Sequence, residues 1–267
     1  MKTLHHKQPA CRKTAICRPG WWLAAAGLWL AGATAWGANV LQTFFVPLPE
    51  DQMQISLNAI DAYRGYIGDE MRSAISIVVG TDGTVIYYDH WEDGYEEDIT
   101  NPTQLTSQVW GDATAGNGYP PGFPGDLLDA GDVVLLESTI DVTRNSVLIE
   151  YDGRDKVATT FPLAMTRAMY AVNPGEVLAE STGIYDIGTH DTLYRAPVGV
   201  GTGTGFGTNE LFNYTAFYIM ADYDYTRIDL DKDNDGIFEE TVYLDQGEPY
   251  FINGGIVAGA TVQGSQP

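Results

Sequence analysis

Three aspartates at alternate positions form the clearest chemical pattern in the chain. Asp231, Asp233 and Asp235 are followed directly by Gly236. Alternate spacing around a tight bend directs the three carboxylates toward one point, and glycine permits the backbone conformation that such a bend requires. Carboxylate oxygens in this arrangement are ligands that Ca²⁺ prefers. The stretch 229–240 therefore predicts a calcium-binding loop.

Further oxygen donors must complete this site, because Ca²⁺ takes roughly six to eight oxygens. We expect the backbone carbonyl of Ile237 and the carboxylate of Glu239 or Glu240 to supply some of them. The loop is not an EF-hand, because the twelfth position counted from Asp231 is Val242 instead of glutamate. Aromatic and β-branched residues flank the loop on both sides, which predicts that it joins two strands.

An internal repeat appears when the chain is compared with itself at an offset of 142 positions. Segment 82–97 then falls on 224–239 without a gap. Beyond residue 126 the matching offset is 116, and the difference of 26 equals the length of Asn101–Asp126. A single insertion into the first copy thus explains both registers. The sequence therefore predicts a duplicated β unit.

The first copy contains a weaker candidate for metal binding. Asp89 and Asp93 fall on the first and third aspartates of the calcium loop, but Trp91 replaces the middle one. Together with Glu92, Glu96 or Asp98 the two carboxylates could still hold a cation. Alternatively, Trp91 could pack with neighbouring tyrosines in an aromatic cluster. His90 could add a nitrogen, although Ca²⁺ avoids nitrogen and zinc sites usually contain more His or Cys than this stretch offers.

Strand and turn signals along the chain predict an all-β fold, built from two related antiparallel β-meander or sandwich units. A β-hairpin is expected around Asp82 and Gly83, whereas residues 51–71 fit either a strand or a helix.

The second unit is expected to be incomplete at its C-terminus, so that a further segment or another chain completes it. The predicted boundaries are a signal peptide at 1–37, a lead-in at 38–73, the first unit at 74–197 with a Gly/Pro-rich insertion at 101–126, a Gly-rich connector at 198–213, and the second unit at 214–267.

The beginning of the chain predicts export. The first twenty residues contain five basic residues and no acidic residue, and an apolar run at 21–36 follows them. This combination is typical of a secretory signal peptide, with an uncleaved membrane anchor as the alternative. Cleavage would remove five of the 14 basic residues and none of the 36 acidic ones, which leaves a net charge of −27. So acidic a chain is not expected to bind nucleic acid or to insert into a membrane.

Residue types and motifs do not indicate an enzyme. Downstream of the signal segment only His90 and His190 remain, and both cysteines are gone. The chain has no nucleophile-elbow, zinc-protease or phosphate-loop motif. Acidic residues are so abundant that a glycosidase-like carboxylate pair can be drawn in many places, so no particular pair is favoured. A carboxylate-based hydrolase is accordingly the least favoured function.

The Gly/Pro-rich insertion is the best candidate for a recognition loop. Trp110, Tyr119 and Phe123 lie in it among glycines and prolines. Loops of this kind carry binding functions more often than strands do, and aromatic rings bind glycans and proteins well. The alternative is that these rings only pack the interior. A module that binds an extracellular glycan or protein is therefore the main competing function.

The export signal, the cysteine-free acidic β units and the Asp-x-Asp-x-Asp-Gly loop together resemble the N-terminal regions of large bacterial secreted and cell-surface proteins, in which calcium stiffens successive β domains. The stretch 87–95, Tyr-Tyr-Asp-His-Trp-Glu-Asp-Gly-Tyr, contributes to this resemblance. It implies a structural or adhesive module outside the cell. Among functional residues it implies only the calcium ligands Asp231, Asp233 and Asp235.

Overall fold

Fourteen strands and one α-helix account for most of the regular structure in a computed structural model of the chain. The model describes residues 40, 42–61, 71–140, 147–172, 179–200, 212 and 214–267, all within one unit, Gly37–Pro267. The predicted signal peptide and most of the connector lie outside these residues. The elements are β1 (Gln42–Phe45), α1 (Glu50–Asp61), β2 (Met71–Val79), β3 (Ile86–Asp89), β4 (Gln108–Trp110), β5 (Val133–Thr139), β6 (Lys156–Thr159), β7 (Leu163–Ala171), β8 (Ala179–Ile184), a 3-10 helix (Ile187–Thr189), β9 (Leu193–Arg195), β10 (Phe217–Met220), β11 (Thr226–Asp231), β12 (Glu240–Leu244), β13 (Pro249–Ile252) and β14 (Thr261–Gly264).

Two four-stranded antiparallel sheets form the first part of the fold, which is a β-sandwich. One sheet has the order β1-β6-β3-β4 and the other β5-β2-β7-β8. Apolar side chains from both sheets share a single core, including Ile75, Ile77, Ile86 and Val157. The predicted all-β fold class is thus confirmed.

Alternation of side chains explains how the sheets bury one face. In β5, Val134 and Leu136 are buried, whereas Val133 and Leu135 between them are half exposed. Successive residues of a strand point to opposite faces, so one strand contributes to the core and to the surface at the same time. Burial of such a side chain contributes about 1.5–3 kcal/mol.

In the stretch that fits either a strand or a helix, residues 51–61 belong to helix α1 and Met71 begins β2, whereas 62–70 lie outside the described residues. Met53 and Leu57 are four residues apart, lie on one face of the helix and are buried. They pack in a second apolar cluster with Leu48, Ile140 and Met169. The helical period therefore decides the structure here, because it places both large side chains against the end of the sandwich.

The second part of the fold repeats the strand order of the first. Its larger sheet has the order β12-β11-β14-β9, which matches β4-β3-β6-β1, and its smaller sheet pairs β10 with β13 as β2 pairs with β5. The core between them includes Ile228, Leu230, Leu244 and Val262. Among the described residues β10 has no second neighbour, whereas β2 pairs with both β5 and β7.

Strand registers and turns correspond at the offsets found in the sequence. Val78 lies opposite Val133 in one pair of strands, and Met220 lies opposite Pro249 in the other. Met220 follows Val78 by 142 positions, and Pro249 follows Val133 by 116 positions. The duplication that would explain this correspondence stays a prediction.

The turns between the sheets correspond as well. The amide of Ala130 donates a hydrogen bond to Asp82 (2.8 Å), and the amide of Gln246 donates one to Asp224 (3.0 Å). The expected β-hairpin at Asp82 and Gly83 is wrong, because β2 and β3 on its two sides belong to different sheets. The turn instead carries the chain from one layer of the sandwich to the other.

No helix among the described residues has the length and apolar character needed to cross a membrane.

Candidate metal centre

The predicted calcium loop connects two neighbouring antiparallel strands. β11 ends at Asp231 and β12 begins at Glu240, and Leu230 lies opposite Glu240 in the register. The amide of Glu239 donates a hydrogen bond to the carbonyl of Leu230 (3.0 Å), which closes the loop at its base. Strand pairing thus holds both ends of the loop in place.

Four carboxylates converge inside this loop. Asp231, Asp233, Asp235 and Glu239 each offer one oxygen, and the four oxygens lie within 4.8 Å of one another. Asp231 is buried, and the other three side chains are exposed. Two unit charges at about 4 Å repel by roughly 1 kcal/mol in water and about 4 kcal/mol near a protein surface. A divalent cation among these oxygens would convert this repulsion into attraction.

Backbone hydrogen bonds bend the loop around its acidic side chains. The amide of Asp235 lies 3.2 Å from an oxygen of Asp231 and 3.2 Å from an oxygen of Asp233. The amide of Gly236 donates to the second oxygen of Asp231 (3.0 Å). Gly236 has φ +88° and Asn234 has φ +61°, so both lie in the left-handed region that the tight bend requires.

Of the two glutamates that could complete the site, Glu239 lies in the cluster and Glu240 does not. Glu240 accepts hydrogen bonds from Lys232 Nζ (2.9 Å) and from the hydroxyl of Tyr250. These hydrogen bonds lower the pKa of Glu240 and direct its carboxylate away from the aspartates. Ile237 lies at the loop tip, where its amide donates to Asp235, and its carbonyl stays a predicted ligand.

The two aspartates of the first copy do not form a comparable group. Asp89 is buried and accepts hydrogen bonds from the amide of Glu96 and the hydroxyl of Ser107, both at 2.9 Å. Asp93 is exposed and accepts from the hydroxyl of Thr106. Neither belongs to a potential metal cluster among the described residues. Hydrogen-bond donors of the chain itself thus satisfy both carboxylates.

A different group of potential ligands lies beside them. His90, Glu92 and Asp155 each offer one donor atom, and these atoms lie within 4.8 Å of one another. His90 is 1% exposed and Asp155 is 0% exposed. The hydroxyl of Tyr88 donates to Asp155 Oδ2 (2.7 Å). This group thus combines the buried carboxylate of Asp155 with the partly buried carboxylate of Glu92.

Electrostatic interactions within this group shift the pKa values of its members. Burial lowers the pKa of His90, but the hydrogen bond and charge of Asp155 outweigh burial and leave that pKa above its usual value. Burial raises the pKa of Asp155 and of Glu92. Burial also raises the pKa of Tyr88, so its phenol stays protonated. Imidazole and carboxylates together therefore tend to retain a proton when no cation is bound.

Sequence reasoning missed Asp155 as a partner of His90, and it placed Glu92 with Asp89 and Asp93 instead of in this group. Strand pairing explains why, since Asp89 lies opposite Lys156 in the β3 and β6 register. The next pair of residues outward is His90 and Asp155, which are 65 positions apart in the chain. The short acidic turn before β6 is visible in the sequence. Only the pairing of β3 with β6 shows that this turn lies beside His90.

The recognition role expected for Trp110 does not fit its position. Its side chain is 0% exposed and stacks on Tyr88, with ring centroids 4.9 Å apart. Its Nε1 donates to Gln108 (3.0 Å). Phe123 packs partly buried against the same core, and only Tyr119 is half exposed. Trp110 thus fills the sandwich and offers no surface to an external ligand.

A cleft of about 480 Å³ contains a polar pair. Its walls include Ile184, Tyr185 and Phe217, and His190 and Asp222 lie in it. Nδ1 of His190 is 2.8 Å from Oδ2 of Asp222. This hydrogen bond raises the pKa of His190.

Comparison of the chain with protein-family models, with curated proteins and with solved structures found no match.

Proposed function

We propose that the protein is an exported β module of a larger bacterial secreted or cell-surface protein, and that calcium bound in the 231–239 loop stabilises it for a structural or adhesive role. The observation that carries this proposal is the convergence of four carboxylate oxygens within 4.8 Å. Carboxylates that are so close repel one another, and a bound cation would relieve this repulsion. Ca²⁺ prefers the oxygen ligands that this site offers.

The charge of the chain supports an extracellular setting. The exported part would carry a net charge of −27 and no cysteine, so neither disulfides nor basic residues would offset its self-repulsion. Extracellular calcium sites commonly have dissociation constants of about 10⁻⁴ to 10⁻³ M. Calcium binding at such a loop would therefore make the stability of the fold depend on the extracellular calcium concentration.

Thermal unfolding with and without calcium tests the proposal. A ligand at about 100 times its dissociation constant adds about 2.7 kcal/mol of stability, which corresponds to a rise in melting temperature of roughly 5–10 °C. We expect the EDTA-stripped protein to melt lower by this amount than the same protein returned to excess calcium, and Asp233→Ala to remove most of this difference. An unchanged melting curve in EDTA would contradict the proposal.

A second candidate partner is a β-strand supplied by a further segment or by another chain. Among the described residues the outer edge of β10 has no neighbour, although the corresponding edge of β2 pairs with β7 over nine residues. Unpaired sheet edges favour strand addition. Hydrogen exchange at the amides of Phe217–Met220 tests this, because a bound strand should slow their exchange. If these amides still exchange fast when that further segment or other chain is present, strand addition at β10 is excluded.

Binding of a glycan or protein through the insertion is less favoured than the structural role. Trp110, its largest ring, is buried, so the exposed ring of Tyr119 would have to carry such binding. A glycan array probed with wild type and with Tyr119→Ala would decide this, since only binding that depends on Tyr119 supports the alternative.

A further inference from the structure

The loop after β3 and the turn before β6 bring three potential metal ligands together in the first sandwich. Asp89 and Lys156 lie opposite each other at the ends of these antiparallel strands. His90 and Asp155 are therefore the next facing pair, and Glu92 reaches the same point from two residues further along. The pairing of β3 with β6 sets the positions of His90 and Asp155, whereas Glu92 is contributed by the loop that follows β3.

Two carboxylate oxygens of this group lack hydrogen-bond donors. Oδ1 of Asp155 and Oε2 of Glu92 are buried and, within the part of the chain that the structure describes, accept no hydrogen bond. An unsatisfied buried polar atom costs about 1–3 kcal/mol, and more when it is charged. Such an atom in a well-packed sandwich needs a partner that the chain does not supply.

The two basic residues that flank Asp155 in the sequence contact other groups. Arg154 stacks on the ring of Trp91, with its guanidinium carbon 4.5 Å from the ring centroid, and its Nε donates to the carbonyl of Gly247 (3.2 Å). Lys156 lies 5.6 Å from the ring centroid of Tyr95. Neither forms an ion pair with Asp155 within the described ranges. A bound cation would supply the missing positive charge.

The donor types distinguish this position from the calcium loop. Nδ1 of His90 is 3.4 Å from Oδ2 of Asp155 and 2.9 Å from the carbonyl oxygen of Glu150. Because a carbonyl oxygen only accepts, Nδ1 carries a hydrogen and donates to Glu150 when no ion is bound, and an ion that binds Nδ1 releases that proton. Ca²⁺ takes oxygen ligands, whereas zinc and other divalent transition ions accept imidazole together with carboxylates. One nitrogen, two carboxylates and a nearby carbonyl oxygen suit a four-coordinate ion.

We propose that His90, Glu92 and Asp155 bind one divalent transition-metal ion of the zinc type, in a site independent of the calcium loop. The ion links the loop after β3 to the start of β6 and satisfies the buried oxygens of Asp155 and Glu92. Its role at this buried position is to stabilise the first sandwich.

Zinc titration of the full chain, stripped with EDTA and returned to excess calcium, tests the site. A chromogenic chelator reports zinc stoichiometry and affinity, and Co²⁺ serves as a spectroscopic substitute with visible d–d absorption. We expect Glu92→Gln and His90→Gln each to abolish one zinc equivalent or weaken it by at least about tenfold, because each loses a ligand. The Co²⁺ absorption should fall in the same two variants.

Matched controls separate this site from other ligands. Glu97→Gln removes an exposed carboxylate from the same loop, and His190→Gln removes a histidine outside the site, so both should keep the wild-type zinc equivalent. Histidines and cysteines of the first twenty residues contribute equally to every variant. Asp233→Ala should lose calcium dependence and keep zinc, which distinguishes this proposal from the calcium proposal.

The result that would overturn the proposal is a Glu92→Gln protein that is folded by circular dichroism and binds zinc with wild-type stoichiometry and affinity. Glu92 is only partly buried, so this variant is expected to fold even if His90→Gln does not. Equal binding in wild type and Glu92→Gln would mean that His90 and Asp155 form a buried pair that retains a proton and binds no metal.

Discussion

Arg167 and Glu50 form an ion pair in the interior of the first sandwich, 117 positions apart in the chain and 1% and 3% exposed. The same guanidinium donates to the carbonyl of Pro47 (2.8 Å) and to the hydroxyl of Ser73 (3.1 Å). The other carboxylate oxygen of Glu50 accepts from the amide of Gly153 (3.1 Å). One pair thus connects helix α1, β2, β7 and the turn before β6.

Removal of one partner of this pair should be strongly destabilising. Glu50→Ala leaves the guanidinium of Arg167 buried without its counter-charge, so we expect the free energy of unfolding to fall by about 3–5 kcal/mol. Urea unfolding at neutral pH measures the change. Arg227→Ala is the matched control, because its pair with Asp229 is exposed on the arginine side and should contribute less than about 1 kcal/mol. Equal costs for the two variants would contradict the prediction.

Local spacing predicted that the acidic side chains of the 231–239 loop converge, because they lie within nine residues of one another and a tight bend needs no distant partner. That calcium binds there stays a prediction. The buried group around His90 could not be predicted in that way, since its partner Asp155 arrives through strand pairing. Trp110 was placed at the surface because glycine and proline surround it, yet stacking on Tyr88 draws it into the core. The residues of the Asp82 turn are typical of a β-hairpin. Only the packing of the two sheets shows that this turn instead connects one layer of the sandwich to the other.

Gly247 and Gly131 occupy corresponding turns, and substitution by alanine should affect them differently. Both have positive φ, so alanine is strained by about 1–2 kcal/mol at either position. A Cβ at Gly131 meets no atom within 4 Å, whereas a Cβ at Gly247 would overlap the hydroxyl of Tyr95. We therefore expect Gly247→Ala to lower the melting temperature more than Gly131→Ala does.

Truncation of Tyr95 tests the cause of that difference. Tyr95→Phe removes the overlapping hydroxyl and also its hydrogen bond to the carbonyl of Arg154 (2.6 Å). The extra cost of Gly247→Ala over Gly131→Ala should shrink in the Tyr95→Phe background, as a double-mutant cycle would measure. An undiminished difference would show that the steric contact is not its source.

The pair formed by His190 and Asp222 predicts a pH-dependent contribution to stability. The hydrogen bond that the imidazole donates to Asp222 raises the pKa of His190, burial opposes this increase, and the charges of Asp222 and Asp186 add to it. A raised folded-state pKa stabilises the fold fully below the unfolded value of about 6.5, and this stabilisation is lost as the pH rises through the folded pKa. His190→Gln should therefore cost more stability at pH 5.5 than at pH 8.5.

The size of that pH effect should be modest. The imidazole is 32% exposed, so solvent screening limits the difference between the two pH values to less than about 1 kcal/mol. Urea unfolding of wild type and His190→Gln at both pH values measures it, and titrations of other groups cancel in the comparison. The same cost at both pH values would show that folding does not raise the pKa of His190.

Glu239 and Glu240 provide the sharpest test of the calcium loop, because they are neighbours in sequence and differ only in where their carboxylates point. Glu239 lies with the three aspartates, and Glu240 binds Lys232 and Tyr250. Glu239→Gln removes one charged ligand and should weaken calcium binding by at least about tenfold in a calorimetric titration, since ligand charge sets affinity in such sites. Glu240→Gln should leave calcium affinity within about threefold of wild type. Equal losses for the two variants would place the ion outside the cluster of Asp231, Asp233, Asp235 and Glu239.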